Sequence, residues 1–205
     1  MKSVKHLVLS TFAVLTLVAP TYAAGAPRVL LVIAPRNYLE SEYENTRRAL
    51  QEANIQIEVA SAHTEAATGY SYGTVRPDLD IDQADARRYD AVAVIGGYGA
   101  RDHLWDHAGL QTLLKAVYAQ NHVVAALCAA PPVLARAGLL KGLPAVMWPD
   151  RSWIAELEAG GARYVDEPIV FANRILTGRD PRAAAAFGKR LAELVNAATA
   201  AAEHN

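Results

Sequence analysis

Cys128 is the residue whose type and surroundings point most directly to chemistry. It is the only cysteine of the chain, and it stands between a predicted strand, residues 122–127, which is apolar after His122, and a stretch of helical composition, residues 129–137. A thiol on a tight turn from a buried strand into a helix faces outward among backbone N–H groups, and a helix N-terminus lowers the pKa of such a thiol. The pattern therefore predicts a reactive cysteine. The alternative is an inert core residue, because cysteine is among the most buried residue types.

Carboxyl groups and glycines follow two other apolar runs. Glu40, Glu42 and Glu44 come soon after the first run, and a glycine-rich segment, residues 96–99, follows the third. Beside a thiolate, a carboxyl works only in its protonated form, because two anions at hydrogen-bond distance repel each other. The glutamates also fit a solvated first turn of a helix, which the helix dipole favours. The glycine segment lacks the Lys-Ser/Thr of a phosphate-binding loop, so no nucleotide cofactor is expected.

The histidines give weaker signals. His103 and His107 are four residues apart, a spacing that places two side chains on one face of a helix and suits a pair of metal ligands. No third ligand follows at a typical spacing. We therefore interpret the two histidines as the solvated start of a helix and expect neither a metal nor another cofactor.

The elements that must position these groups alternate between strand and helix. Continuous apolar runs bounded by turn residues indicate strands that are covered on both faces of a parallel sheet. Strands are predicted at 28–34, 55–60, 89–95, 122–127, 145–148 and 163–165, a hairpin at 169–176, an irregular or hairpin segment at 66–82, and helices at 40–53, 106–120, 129–137 and after Pro181. This order predicts an α/β fold: a flavodoxin-like, doubly wound, mostly parallel sheet sandwiched by helices, with the site at the carboxyl ends of the strands.

Composition excludes several classes of protein. The 205 residues include 20 Lys and Arg against 21 Asp and Glu, so no excess of positive charge is available to attract nucleic acid or anionic lipid. One cysteine cannot form an internal disulfide or a site with several thiolate ligands. We expect a single globular domain without a nucleic-acid partner.

The N-terminal residues have the pattern of a secretory leader. Two lysines precede an apolar run, residues 7–19, and small residues follow as far as Ala26. The run is too short to span a bilayer comfortably. We expect residues 1–23 to be a signal peptide, cleaved after Ala23 or Ala26, and the mature protein to be periplasmic or secreted with no stable membrane anchor. A buried N-terminal helix is the alternative.

Several motifs together resemble the ThiJ/PfpI (DJ-one) superfamily, which has the class I glutamine amidotransferase-like fold. The motifs are Glu40-Ser-Glu-Tyr-Glu44, a strand ending in two glycines at 89–97, Ala-Ala-Leu-Cys-Ala-Ala-Pro at 125–131, and segments at 137–142, 160–166 and 174–181. Their order and spacing make the resemblance specific. It implies one domain over residues 27–198, followed by an alanine-rich tail at 199–205.

The resemblance implies roles for four residues. It identifies Cys128 as the nucleophile of a strand-to-helix elbow and Glu42 as the acid that contacts the thiol. A shift of two residues along the helix would exchange Glu42 for either neighbouring glutamate. The backbone amides of Gly97 and Ala129 correspond to the family's oxyanion hole. Family members are commonly dimers, so a homodimer is expected.

Two positions depart from the family pattern. In the peptidase-like branch a histidine directly follows the cysteine, whereas this chain has Ala129, so the Cys-His unit for peptide attack is missing. In another branch a histidine lies twenty positions beyond the cysteine, where this chain has Trp148. An indole takes up no proton at neutral pH. Trp148 and Tyr98 are therefore expected to wall the pocket, with core packing as the alternative for Trp148.

The function implied by the resemblance is a glyoxalase-like or deglycase-like enzyme that acts on small α-oxoaldehydes without a cofactor. Cys128 would add to the aldehyde, and Glu42 would move a proton between the two carbons. One alternative is a cysteine-dependent hydrolase or peptidase of the PfpI type. The other is a non-enzymatic redox sensor or chaperone that uses reversible oxidation of Cys128.

Overall fold

The apolar runs of the sequence form the strands of a central sheet. The computed structural model describes residues 25–203, so the predicted leader lies outside the described residues. The strands are β1 (Arg28–Val32), β2 (Arg36–Tyr38), β3 (Gln56–Ser61), β4 (Ala67–Gly69), β5 (Thr74–Val75), β6 (Leu79–Asp80), β7 (Ala91–Val94), β8 (Val123–Leu127), β9 (Pro144–Ala145), β10 (Arg163–Tyr164), β11 (Ile169–Ala172) and β12 (Ile175–Gly178). Seven of them form one sheet in the order β11-β12-β8-β7-β1-β3-β6, and every neighbouring pair is parallel except β11 with β12.

Helices cover this sheet as the sequence predicts. They are α1 (Glu40–Glu52), α2 (Ala108–Ala119), α3 (Pro132–Arg136), α4 (Arg151–Ala159) and α5 (Ala184–Glu203). Helices α1 and α5 pack on each other, and α5 also packs on β8 and β12; α2 packs on β7 and β8 and contacts α3, which contacts α4. The predicted doubly wound α/β sandwich is confirmed. No helix within the described residues is both long and apolar enough to cross a bilayer.

The strand order determines where a ligand can reach the sheet. After β1 the chain adds β3 on one side, and it later adds β7 and β8 on the other side of β1. The crossovers therefore diverge at the carboxyl ends of β1 and β7, and this divergence opens a crevice in doubly wound sheets. The central strands β1, β7 and β8 are buried almost throughout, so the polar groups of the site come from the segments that follow them.

The shorter elements agree with the sequence in some places and differ in others. Residues 66–82 contain a β4–β5 hairpin and the edge strand β6, and the predicted hairpin at 169–176 is formed by β11 and β12. It turns at Asn173 and Arg174, whose φ angles are 50° and 63°. These left-handed angles match the twist of a two-residue hairpin turn. The strand predicted at 145–148 has only two residues in the structure, Pro144 and Ala145, which pair with β10.

Two helices were not anticipated correctly. Helix α4 is absent from the sequence prediction, although Asp150 caps it by accepting hydrogen bonds from the N–H groups of Ser152 and Trp153. The helix after the cysteine begins at Pro132 rather than at 129, because residues 128–131 form turns before it. Proline at the first position of a helix is well tolerated, since that N–H has no partner inside the helix.

Candidate active site

Cys128 lies on a sharp turn at the carboxyl end of β8. Its φ angle is +58°, a left-handed conformation that is strained for a residue with a side chain. The flanking peptide groups hold it there. The Cys128 N–H donates to the Gly178 carbonyl at 2.9 Å, and the Cys128 carbonyl accepts from the Trp148 N–H at 2.9 Å. Hydrogen bonds to two distant segments thus support the strained conformation, as the elbow geometry requires.

Glu42 is the glutamate that the fold brings to the thiol. Its side chain on the first turn of α1 is 0% exposed, and its Oε2 accepts a hydrogen bond from the Gly96 N–H at 3.0 Å. A Cβ on Gly96 would lie 2.7 Å from Glu42 Oε2 and 2.8 Å from Cys128 Cβ. Both side chains therefore border the space that the glycine leaves open. The other carboxyl oxygen, Oε1, makes no hydrogen bond of normal length within the described residues.

The two neighbouring glutamates lie elsewhere. Glu40 Oε1 accepts hydrogen bonds from the N–H groups of Ser71 (2.7 Å) and Gly73 (3.1 Å), so this side chain fastens the β4–β5 turn. Glu44 is exposed. The alternatives that the sequence left open are thus separated by geometry: of the three glutamates, Glu42 is the one buried beside Cys128.

Burial determines the protonation of this pair. It raises the pKa of Glu42 from 4.5 to about 8, and the charge of Asp180 adds to the rise, while the Cys128 thiol and the Gly96 N–H favour the carboxylate and partly oppose it. Burial also raises the pKa of the Cys128 thiol well above its usual range, and the Glu42 carboxylate raises it further. At neutral pH the resting pair therefore holds its protons, because two buried anions this close would repel.

The direction of the thiol pKa corrects the sequence prediction. A lowered pKa was expected from a helix N-terminus, but α3 begins four residues after the cysteine, and burial outweighs the local dipoles. Backbone groups do act in the expected direction: the N–H groups of Gly97 and Ala129 lower the thiol pKa in part. The two amides that the resemblance assigned to an oxyanion hole therefore both interact with the Cys128 sulfur.

Glycine is required at position 97. Its φ angle is +97°, and a Cβ there would lie 2.7 Å from the Leu39 nitrogen. The Leu39 N–H in turn donates to the Gly96 carbonyl at 3.1 Å. The absence of a side chain thus lets the segment after β7 approach the start of α1, which aligns the Gly97 amide, Glu42 and Cys128 at one edge of the sheet.

A small apolar cavity opens above the thiol and encloses about 230 Å³. It is lined by Leu39, Tyr70, Gly97, Tyr98, Cys128, Ala129, Trp148, Trp153 and Pro181. Trp148 and Tyr98, the expected pocket walls, both belong to this lining, and both are partly exposed (40% and 55%). None of the lining side chains carries a charge at neutral pH.

Two tryptophans support the site without having been assigned a role from the sequence. Trp105 is buried, and its indole Nε1 donates to the Ala129 carbonyl at 2.7 Å. Trp153 lies between Trp105 and Tyr98, with edge-to-face ring contacts of 5.8 and 5.9 Å between centroids. The signal that could have located Trp153 is Asp150, a helix-capping residue three positions before it.

The histidine pair does not form a site. His103 is exposed in a π-helical turn, whereas His107 caps α2 by accepting from the Leu110 N–H at 3.1 Å. The two therefore do not share one α-helical face. Within residues 25–203, no three His, Cys, Asp or Glu side chains are grouped so that they could hold a metal ion.

Comparisons with known proteins agree with this architecture. A family model described as the DJ-1/PfpI family matches residues 27–194. An uncharacterized protein of Methanocaldococcus jannaschii is 32% identical over 161 residues, which cover 78% of each chain. The glutathione-independent glyoxalase DJR-1.2 of Caenorhabditis elegans is 24% identical over 170 residues, which cover 83% of this chain and 89% of that protein.

Solved structures show the same fold. A ThiJ/PfpI domain protein of Brachyspira murdochii superposes with a TM-score of 0.79 at 24% identity and covers 84% of this chain and 98% of its own. DJ-1beta of Drosophila melanogaster gives a TM-score of 0.75 at 27% identity, with coverage of 85% and 93%. From the family match over most of the described residues and the 32% identical relative, we conclude that this chain belongs to the DJ-1/PfpI family.

Proposed function

We propose that the protein is a glyoxalase-like enzyme that converts small α-oxoaldehydes to 2-hydroxy acids without a cofactor; a deglycase-like activity would use the same groups. The observation that carries the proposal is a buried carboxyl, Glu42, with a pKa of about 8 beside the elbow thiol. A general acid and base is most effective when its pKa is close to the working pH, because both protonation states are then populated. The similarity to a C. elegans glyoxalase also supports a glyoxalase-like activity.

The first step would be addition of the thiol to the aldehyde. The Cys128 sulfur forms a bond to the aldehyde carbon, the C=O π bond breaks, and the thiol proton ends on the oxygen to give a hemithioacetal. The N–H groups of Gly97 and Ala129 interact with the sulfur and lie where they can stabilise negative charge on the substrate oxygens.

The second step would move a proton between carbons. The Glu42 carboxylate removes the hydrogen of the former aldehyde carbon, leaving an enediolate, and then delivers a proton to the neighbouring carbon. The remaining hydroxyl proton passes to the second oxygen, so the product is a 2-hydroxyacyl thioester of Cys128. Water cleaves the carbon–sulfur bond, which releases the 2-hydroxy acid and returns the proton to the thiol.

The decisive test is the formation of lactate from methylglyoxal by the purified protein. We expect turnover by the wild type and by Glu44→Gln, whose side chain is exposed, and loss of turnover in Cys128→Ala and Glu42→Gln. Loss of general acid–base catalysis costs about 10²–10⁴ in rate. Lactate formation no faster than in Cys128→Ala would contradict the proposal. Unimpaired turnover in Glu42→Gln would contradict the role of that residue.

The same experiment separates the enzyme from a redox protein. Glu42→Gln keeps the cysteine, so a sensor or chaperone that depends on thiol oxidation alone would retain its response to peroxide. Mass spectrometry of Cys128 after mild oxidation provides that measurement. Loss of lactate formation together with retained oxidation is the result expected from the proposed enzyme.

We further propose that the mature protein is exported and forms a homodimer. Export rests on the leader pattern of residues 1–23, which lies outside the described residues, and the dimer rests on the family resemblance. Sedimentation of the purified protein measures the second point directly, and a monomer at micromolar concentration would contradict it.

A further inference from the structure

The mouth of the cavity above Cys128 is built mainly from aromatic rings. Tyr70, Tyr98, Trp148 and Trp153 all line it. The ring of Tyr98 lies 6.0 Å from that of Tyr70 and 5.9 Å from that of Trp153, measured between centroids. Three of the four rings, those of Tyr70, Tyr98 and Trp148, are 40–58% exposed, so ring surface faces solvent beside the nucleophile. A concave, mostly apolar pocket with a few polar groups is the usual form of a small-molecule site.

The electrostatics of the mouth disfavour charged ligands. The lining contains no lysine, arginine, aspartate or glutamate, so a carboxylate or phosphate on a substrate would lose water without gaining an ion pair. A cationic ligand could use the aromatic faces, but the Arg101 guanidinium already lies 5.9 Å from the Trp153 ring centre. Arg101 is half-exposed, forms an ion pair with Asp102 at 2.8 Å, and is not one of the residues that line the cavity.

The size of the cavity exceeds what the smallest oxoaldehydes fill. A volume of about 230 Å³ corresponds to roughly eight water molecules at the density of the liquid. Methylglyoxal is much smaller than that, whereas an oxoaldehyde bearing a phenyl ring is of comparable size. A flat ring would also present its edge or face to the surrounding rings, an arrangement that aromatic pairs favour.

The position of Tyr70 is itself controlled. It lies in the β4–β5 turn, whose Ser71 and Gly73 N–H groups are both held by Glu40, and the Tyr70 N–H donates to the Tyr38 carbonyl at 2.9 Å. Its neighbour Tyr72 is 87% exposed and does not line the cavity. One tyrosine of this turn is therefore positioned at the mouth, and the other is not.

We propose that this aromatic mouth selects carbonyl compounds with an uncharged aryl substituent over those with a methyl or a carboxylate group. The inference rests on the proposed function, because it names the substituent that the same site accepts beside the reacting carbonyl. Tyr98 and Trp148 are specificity-determining residues in this view, while Cys128 performs the reaction.

Alkylation of Cys128 tests the selectivity without requiring turnover. The reagents are three α-bromoketones, phenacyl bromide, bromoacetone and bromopyruvate, which carry a phenyl, a methyl and a carboxylate group. In each case the sulfur bonds to the methylene carbon, bromide leaves, and the thiol proton is released to solvent. Intact-protein mass spectrometry gives second-order rate constants, Cys128→Ala reports off-site labelling, and glutathione provides the intrinsic reactivity of each reagent.

For Cys128, we expect the rate constant for phenacyl bromide divided by that for bromoacetone to be about ten times the same ratio measured with glutathione. The reason is that a phenyl ring buries several more apolar carbons than a methyl group. Tyr98→Ala and Trp148→Ala should bring the ratio close to that of glutathione. Trp148→Phe, which keeps a ring, and Tyr72→Ala, the matched control, should retain most of it. Melting curves identify any variant that fails to fold.

A wild-type ratio equal to that of glutathione would overturn the proposal, as would a preference for bromopyruvate or a ratio unchanged in both alanine variants. None of these readings involves lactate formation. Aryl preference without methylglyoxal turnover would contradict the glyoxalase proposal alone, and turnover without aryl preference would contradict only the selectivity.

Discussion

The indole nitrogen of Trp105 donates a hydrogen bond of 2.7 Å to the carbonyl oxygen of Ala129, the residue that follows the nucleophile. The preceding peptide group, which joins Cys128 to Ala129, is held by the Trp148 N–H on its carbonyl side. That peptide group also carries the Ala129 N–H, which interacts with the thiol. Hydrogen bonds from Trp148 and Trp105 therefore fix the two peptide groups on either side of Ala129. These two peptide groups determine the direction in which the Ala129 N–H points.

Replacing Trp105 with phenylalanine should lower the free energy of unfolding by more than the loss of buried apolar ring surface alone would. The substitution leaves the buried Ala129 carbonyl without its partner, which costs about 1–3 kcal/mol. Trp153→Phe is the matched control, because Trp153 is also buried and its indole donates to no carbonyl within residues 25–203. Urea unfolding should show the larger loss of unfolding free energy for Trp105→Phe. Equal losses in the two variants would refute this account.

Glu42 should make stability fall as pH rises. Its pKa is 4.5 in an unfolded chain and about 8 in the folded protein, so the folded state retains a proton that the unfolded state releases. The contribution of Glu42 to the free energy of unfolding is therefore complete below about pH 4.5, declines above it and is lost above about pH 8. Between about pH 5 and pH 8, the stability of the wild type relative to Glu42→Gln should fall by on the order of 3 kcal/mol.

The control for that experiment is Glu44→Gln on the exposed side of the same helical turn. Its unfolding free energy should follow the wild type across the same pH range, because folding leaves this side chain in solvent. A pH-independent difference between the wild type and Glu42→Gln would show that Glu42 is not held in its neutral form.

Gly97 and Gly138 provide a matched pair for the glycine requirement. Both have a positive φ angle, +97° and +77°, but a Cβ would strike backbone at position 97 and meet nothing within 4 Å at position 138. Gly138→Ala should cost about 1 kcal/mol, the penalty for a side chain in the left-handed region. Gly97→Ala should cost at least ~2 kcal/mol more and remove most lactate formation. Similar stability of the two variants would contradict the close approach to Leu39.

Export can be measured by sequencing the mature N-terminus. The full-length chain, expressed in a bacterium with a periplasm, should be recovered from that compartment with Ala24 or Pro27 as its first residue. Leu15→Arg places a charge within the apolar run, and this should retain an uncleaved chain in the cytoplasm. Recovery of the unaltered chain in the cytoplasm with an intact N-terminus would contradict the signal peptide.

Most of the fold could be predicted because the central strands are almost entirely apolar. The runs at β7 and β8 contain only apolar residues, and β1 is apolar after its first residue, Arg28, so the type and burial of these strands follow directly from the sequence. Helix α4 was not predicted because its apolar and polar residues show no clear helical periodicity. Its capping residue, Asp150, also follows a proline, a combination typical of a loop. The start of α3 was misplaced because three turn residues separate it from the cysteine, a detail of backbone geometry that composition does not encode.

The site was predictable in its members but not in its electrostatics. Glu40, Glu42 and Glu44 are equivalent in sequence, and only the packing of α1 determines which one faces Cys128. The direction of the thiol pKa was wrong because it depends on how far the sulfur is removed from water, which is a property of the whole fold. The contribution of Trp105 was invisible for the same reason, since its partner is a backbone carbonyl 24 residues away.

Folding protects the Cys128 thiol from forming mixed disulfides, because it buries the side chain and raises the pKa of the thiol. An unfolded chain displays its single thiol with ordinary acidity, and that thiol can form mixed disulfides with any neighbouring molecule. In the folded protein the side chain is 5% exposed, and reagents reach the sulfur only through a small cavity. A newly made molecule is therefore most vulnerable to unwanted cross-linking before its elbow has closed, and least vulnerable once it can act.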